Sequence, residues 1–124
     1  MREVLLVEDD VDTLELFTDL LELAGLHVFA VASLADARAL LHRARFDLVI
    51  TDVLVDARDP DDGWRDVDDL IRLARPTPVA VVSALAAPPS PRPLAFALVK
   101  PISDELLLAS VARCLSIEIT TLRD

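Results

Sequence analysis

Cysteine is nearly absent: Cys114 is the sole thiol of 124 residues. One thiol cannot close an internal disulfide or build a cysteine-based zinc site. Glycine is almost as scarce, with Gly25 and Gly63 only. No glycine-rich phosphate loop exists, so nothing supports nucleotide binding. Long apolar runs are missing too. No stretch approaches the about 20 apolar residues of a membrane span. The opening MREVLLVEDD is cut off by acids before it resembles a signal peptide. These absences lead us to expect a cytoplasmic protein. Positive charge is also in deficit, with a formal net charge of −10. A surface this acidic repels phosphate backbones and anionic lipid, so neither nucleic acid nor membrane is an expected partner. Lysine is the rarest cation, since Lys100 stands alone beside eleven arginines.

What is present is a core and a regular alternation. Apolar residues make up 53% of the chain, too many for a disordered polymer. Short apolar runs at 3–7, 26–31, 46–51, 78–83 and 94–99 read as strands. Helical spacing fills the intervals. Leu14, Phe17, Leu21 and Ala24 mark one face of a helix over 12–24, with Asp12 as its N-cap and Gly25 just past its end. Ser33 opens a second helix reaching about residue 44. A third is expected over 63–75 and a last over 103–115, capped by Ser103. Between Ser83 and the fifth strand lies an exception. Pro88, Pro89, Pro91 and Pro93 fall within 84–93, where an ordinary helix cannot form. Alternating strands and helices favour a parallel sheet covered on both faces. No interior linker divides the chain, so 1–124 reads as one domain with a short tail at 116–124.

In an open parallel sheet, functional groups collect beyond the carboxyl ends of the strands. Those ends carry Glu8, Asp9 and Asp10 after the first strand and Asp52 after the third. The fourth ends in Ser83 and the fifth in Lys100. Magnesium prefers oxygen ligands, which Glu8, Asp9 and Asp52 can provide. An aspartate is a competent nucleophile toward phosphorus. Lys100 would place a compact cation on a phosphoryl oxygen and Ser83 a hydroxyl on another. Singly, each residue has an ordinary explanation as a cap, turn or surface group. Jointly, at four strand ends, they describe a phosphoryl-transfer site.

With their order and spacing, VLLVEDD at 4–10, DLVITD at 47–52, PVAVVSA at 78–84 and VKP at 99–101 resemble the receiver domains of bacterial two-component response regulators. The likeness runs nearly the full length. It implies a flavodoxin-like, doubly wound, five-stranded parallel sheet of order 2-1-3-4-5. It implies Asp52 as phosphoacceptor, Asp9 as direct Mg²⁺ ligand, and Glu8 acting through water. Ser83 corresponds to the switch hydroxyl and Lys100 to the family's lysine, with a cis bond before Pro101. The implied donor is a sensor histidine kinase or a histidine phosphotransfer protein, and the implied output an unknown downstream protein. No output domain follows Asp124, so the chain reads as a stand-alone receiver that gains and loses its own phosphoryl group rather than turning over a substrate.

Three departures stand out. Asp56 takes the place of a proline four residues after the acceptor, in a longer acidic loop that reads as solvated. The interval from Ser83 to Lys100 is a few residues short, so the fourth helix of the family is expected to be short or missing. Ala97 occupies the place of the switch aromatic, and Phe96 beside it must face the other side of the strand. Phosphorylation would then be read through 84–93 rather than by a helix shift. Leu54 and Leu85, two residues past Asp52 and Ser83, offer nothing to orient water, which implies slow phosphate loss. A pseudo-receiver that binds partners without phosphorylation, and a small aspartyl-phosphate phosphatase, are the alternatives. The second normally needs an acid where Leu54 stands. His27, His42 and Cys114 read as structural, and Trp64 as either core or contact surface.

Overall fold

A computed structural model describes residues 1–56, 59–85 and 88–117. The elements run β1 (Glu3–Val7), α1 (Val11–Leu23), β2 (His27–Val31), α2 (Leu34–Arg43), β3 (Leu48–Thr51), α3 (Pro60–Ala74), β4 (Val79–Ser83), β5 (Ala97–Val99) and α4 (Asp104–Leu115). All the strand pairs are parallel, in the order β2-β1-β3-β4-β5. This is the doubly wound order that the family resemblance implies.

Period-two alternation of the strand side chains divides the core. Val4 and Leu6, with Leu48, Ile50, Ala80 and Val82, meet Phe17, Leu20 and Leu21 of α1 and Leu107, Leu108 and Val111 of α4. Leu5, Val7, Val49 and Val81 face the other way, onto Leu34 and Ala37 of α2 and Val67, Leu70 and Ile71 of α3. Strands buried on both faces need apolar residues at every position, which is why β1, β3 and β4 read as unbroken runs. β2 lies on the edge, and its exposed His27 and Ala30 fit that place.

Several boundaries differ from the sequence reading. Asp10, not Asp12, caps α1, because its carboxylate accepts the Thr13 N–H at 3.0 Å. β2 starts at His27 rather than Leu26. β3 starts at Leu48 rather than Phe46, and just before it the Asp47 side chain accepts Glu3 N–H at 2.7 Å. α3 begins at Pro60, three residues before Gly63, with Asp59 as cap. Proline at the first helical position loses no bond, and Asp61 and Asp62 oppose the positive end of the helix dipole. The regular part of β5 is only Ala97–Val99, although Ala95 N–H still reaches Val79 O at 2.7 Å. The caps Ser33 and Ser103 stand where expected, each accepting an N–H three residues on at 3.1 Å. The tail from 118 to 124 lies outside the described residues.

The proline-rich interval forms no helix among the described residues. Ala97 and Val99 share the α2/α3 side of the sheet with their register partners Val81 and Ser83. With no helix above them, both are exposed. Phe96 packs on the opposite face, among the residues under α1 and α4, as its position beside Ala97 required. Lys100-Pro101 is cis, and so is Arg75-Pro76, which the sequence reading did not anticipate.

Candidate functional site

Backbone bonds extend the sheet one residue past the ends of β1, β3 and β5, and Ser83 is the last residue of β4, so the site residues are fixed. Glu8 N–H reaches Val31 O at 3.0 Å and Asp52 N–H reaches Val7 O at 3.1 Å. Lys100 N–H reaches Ser83 O at 2.8 Å. The side chains of Glu8, Asp52, Ser83 and Lys100 are thereby held by β-ladder geometry rather than by loops.

Their charges meet at one atom. Lys100 Nζ donates to Glu8 Oε1 at 2.5 Å and to Asp52 Oδ2 at 2.9 Å. Glu8 is 3% exposed, Asp52 12% and Lys100 22% at the side chain. An isolated carboxylate buried as deeply as Glu8 would be very costly, and the ammonium offsets that cost. Glu8 also accepts Asp10 N–H at 3.2 Å on its second oxygen. Asp52 Oδ1 accepts Leu54 N–H at 3.2 Å. Ser83 is buried, and its hydroxyl accepts Leu85 N–H at 3.3 Å.

Burial and pairing pull the acidities apart. Burial pushes the Glu8 carboxyl above its ordinary value, and the bonds from Lys100 and Asp10 oppose this without overcoming it. Burial also pushes Asp52 upward, but Lys100, the nearby Ser83 hydroxyl and Leu54 N–H outweigh it, leaving Asp52 below the usual carboxylate value. Burial lowers Lys100, and its two carboxylate partners raise it by more. Asp52 is therefore ionised at neutral pH, carries free lone pairs, and needs no base to act as a nucleophile.

The structure thus gathers Glu8, Asp52, Ser83 and Lys100, named from sequence. Asp9 is exposed, and no side-chain bond ties it to the others. Among the described residues no three His, Cys, Asp or Glu side chains are grouped in metal-holding geometry. The donor chemistry still suits a hard cation: oxygens only, on adjacent strand ends. Two residues that sequence reading passed over help build the rim. Asp10 was set aside, yet it caps α1 and its N–H fixes Glu8; the Asp10-x-x-Thr13 spacing was the available signal. Asp56, read as solvated, accepts the Leu34 N–H at the start of α2 at 2.9 Å, tying the loop after Asp52 to that helix.

The sequence pattern of the response regulator receiver domain matches residues 4–112. The chain belongs to this family. Solved structures agree. The chemotaxis response regulator CheY4 of Vibrio cholerae is 27% identical, with a TM-score of 0.77 over 93% of this chain and 99% of that one. A response regulator from Thermotoga maritima is 22% identical, with a TM-score of 0.80 over 94% and 98%. The receiver domain of a sensor histidine kinase from Pseudomonas aeruginosa is 22% identical, with a TM-score of 0.75 over 93% and 98%. That structure has a magnesium ion coordinated in its active-site cleft. No curated protein is a match. In this receiver, the four gathered side chains lie on one rim, Ser83 at the carboxyl end of β4 and Glu8, Asp52 and Lys100 just past those of β1, β3 and β5.

Proposed function

We propose that Asp52 accepts a phosphoryl group from a phosphohistidine, carried by a sensor histidine kinase or a histidine phosphotransfer protein. The observation that carries this reading is the Lys100 ammonium bridging Glu8 and Asp52, 2.5 and 2.9 Å away, beside the buried Ser83. A carboxylate oxygen of Asp52 forms the new bond to phosphorus as the phosphorus–nitrogen bond breaks. The electron pair returns to the imidazole, which takes up a proton. Lys100, already in contact with Asp52, offers its charge to a phosphoryl oxygen, and Ser83 a hydroxyl to another. Asp9 and Asp52 would hold Mg²⁺ directly and Glu8 through water, and the ion would neutralise phosphoryl oxygens. A cleft of about 460 Å³ lined by Thr13, Leu16, Phe17, Ala84, Lys100, Pro101 and Ile102 opens beside the ammonium and leaves one side of the site approachable.

In this reading the chain is a cytoplasmic phosphorelay or protein-contact module, not a turnover enzyme. Among the described residues no helix is long and apolar enough to cross a membrane. A second reading, a pseudo-receiver without phosphorylation, is favoured by one finding: the α2/α3 side of β5 lacks its helix and its aromatic. Intact-mass measurement decides between them. Wild type and Asp52→Ala are incubated with Mg²⁺ and acetyl phosphate. A phosphoryl adduct on wild type alone is expected. No adduct on wild type would leave the pseudo-receiver, and rapid donor consumption without an adduct would indicate a phosphatase.

A further inference from the structure

Backbone bonds tie Ala95 and Phe96 at the end of the interval from Pro88 to Phe96 to β4, and its earlier part is anchored by an arginine that the phosphorylation chemistry does not use. Arg92 Nε and Nη2 fork onto the two oxygens of Asp68 in α3, at 2.7 and 3.1 Å. Nη1 returns to Ser90 O at 3.2 Å, which stiffens the strap itself. The guanidinium carbon lies 5.0 Å from the ring centroid of Trp64, and the Arg92 side chain is only 12% exposed. A planar fork stacked on an aromatic face is a geometry that lysine cannot copy. The arginines of α3 itself, Arg65 with Asp62 and Arg72 with Asp69, pair with residues three apart on exposed helix surface, and Arg38 of α2 reaches Asp66 and Asp69 through one terminal nitrogen at 3.4 Å or more. The Arg92 pair alone among these is a part-buried fork onto both carboxylate oxygens, across 24 residues.

The anchor point connects directly to the acceptor loop. Trp64 is buried in the cluster that contains Val53 and Val55, with Leu85 and Leu94 packed against it. Its neighbour Gly63 touches the same loop so closely that an added Cβ would lie 2.5 Å from Val53 O. Val53 follows Asp52. At its far end the strap runs into β5, which leads to Lys100. The loop that follows Asp52 and the strap that leads to Lys100 therefore meet at a single clamp.

We propose that Arg92 is a positioning residue that, clamped between Asp68 and Trp64, makes the proline strap report the phosphoryl state of Asp52. The strap stands where a helix would otherwise carry the signal. The clamp gives it two discrete arrangements, seated and released, which packed contacts favour over graded motion. Any shift of Val53 on phosphorylation is passed through Gly63 to Trp64, the ring on which Arg92 rests. This inference rests on Asp52 being the acceptor, and the test separates the two claims.

Trp64 is the sole tryptophan, so it reports on its own clamp. Emission is measured with and without Mg²⁺ and acetyl phosphate, on wild type, Arg92→Ala, Arg92→Lys and Asp68→Asn. The intact mass of each sample is taken in parallel, and circular dichroism confirms folding. Wild type is expected to change emission as the adduct forms. Arg92→Ala and Asp68→Asn are expected to take the adduct yet lose most of the change, and Arg92→Lys to keep part of it. An adduct on wild type with unchanged emission overturns the clamp proposal alone. An Arg92→Ala response equal to wild type does the same. No adduct on wild type overturns the acceptor assignment and this proposal with it. Should Arg92→Ala not fold, Asp68→Asn, which leaves the guanidinium on the ring, decides the matter.

Discussion

Replacing Lys100 by methionine is the sharpest probe of the site, because it deletes one charge and almost no volume. The ammonium is the direct partner of both Glu8 and Asp52. Without it, Glu8, 3% exposed, faces Asp52 with no cation between them. Breaking a buried pair from one side costs about 3–5 kcal/mol. Lys100 and Asp52 retain some access to water, so a loss of about 2–3 kcal/mol is the better figure. Unfolding entropy for 124 residues is about 0.26 kcal/mol/K, so Tm should fall by about 8–12 °C at pH 7 in chelator. The deficit should depend on pH with a definite sign. Burial already raises the Glu8 carboxyl above its ordinary 4.5, and losing Lys100 raises it further. A raised carboxyl favours folding below its unfolded value and loses that contribution as pH rises through the folded one. The gap between wild type and Lys100→Met should therefore narrow as pH falls from about 8 to 5, since protonated Glu8 needs no counter-charge. Mg²⁺ should narrow it too, by supplying positive charge to the same carboxylates. The assay is thermal melting across pH, with and without Mg²⁺. A Tm equal to wild type, or a deficit that is the same at every pH, would refute the reasoning.

Three further outcomes follow from the same contacts. Glu8→Gln removes a charge whose burial penalty grows as pH rises, so at pH 7 it should match or exceed wild type in Tm. Its Mg²⁺ affinity should fall about tenfold by calorimetry, and a Tm advantage over wild type that shrinks from pH 5 to pH 7 would contradict the assigned sign. Gly63→Ala gains about 1 kcal/mol of helix propensity but drives a methyl into Val53 O, 2.5 Å from the ideal Cβ position. A net loss of about 1–2 kcal/mol in denaturant melts is expected, and a stabilised variant would show the contact to be soft. Leu54 and Leu85 offer no group to orient water at the acyl phosphate, so the adduct on Asp52 should persist for many minutes; decay within seconds, followed by intact mass, would count against it.

Much of this molecule could be read along the chain. The β1, β3 and β4 runs were legible because burial on both faces requires every residue to be apolar, a signal confined to a few consecutive positions. The site residues were legible because parallel sheets put strand ends on one rim, so that Glu8, Asp52, Ser83 and Lys100 each carried a local flag. Helix starts were harder. Asp10, Asp12, Asp59 and Asp62 can all cap, and only packing chose Asp10 and Asp59. The acidic loop looked solvated, because the Leu34 N–H that Asp56 caps lies 22 residues away.

Sequence alone determined the alternation of strands and helices, the chemistry available at the strand ends, and the impossibility of an ordinary helix among four prolines. All of these rest on residues within a few positions of one another. Tertiary structure decided which charges neutralise which. The Lys100 ammonium meets Glu8 across 92 residues, Arg92 chooses Asp68 over the other aspartates of α3, and Asp9 is left outside the bonded group. Such pairings depend on how folded elements are placed in space, and a run of neighbouring residues carries no record of that placement.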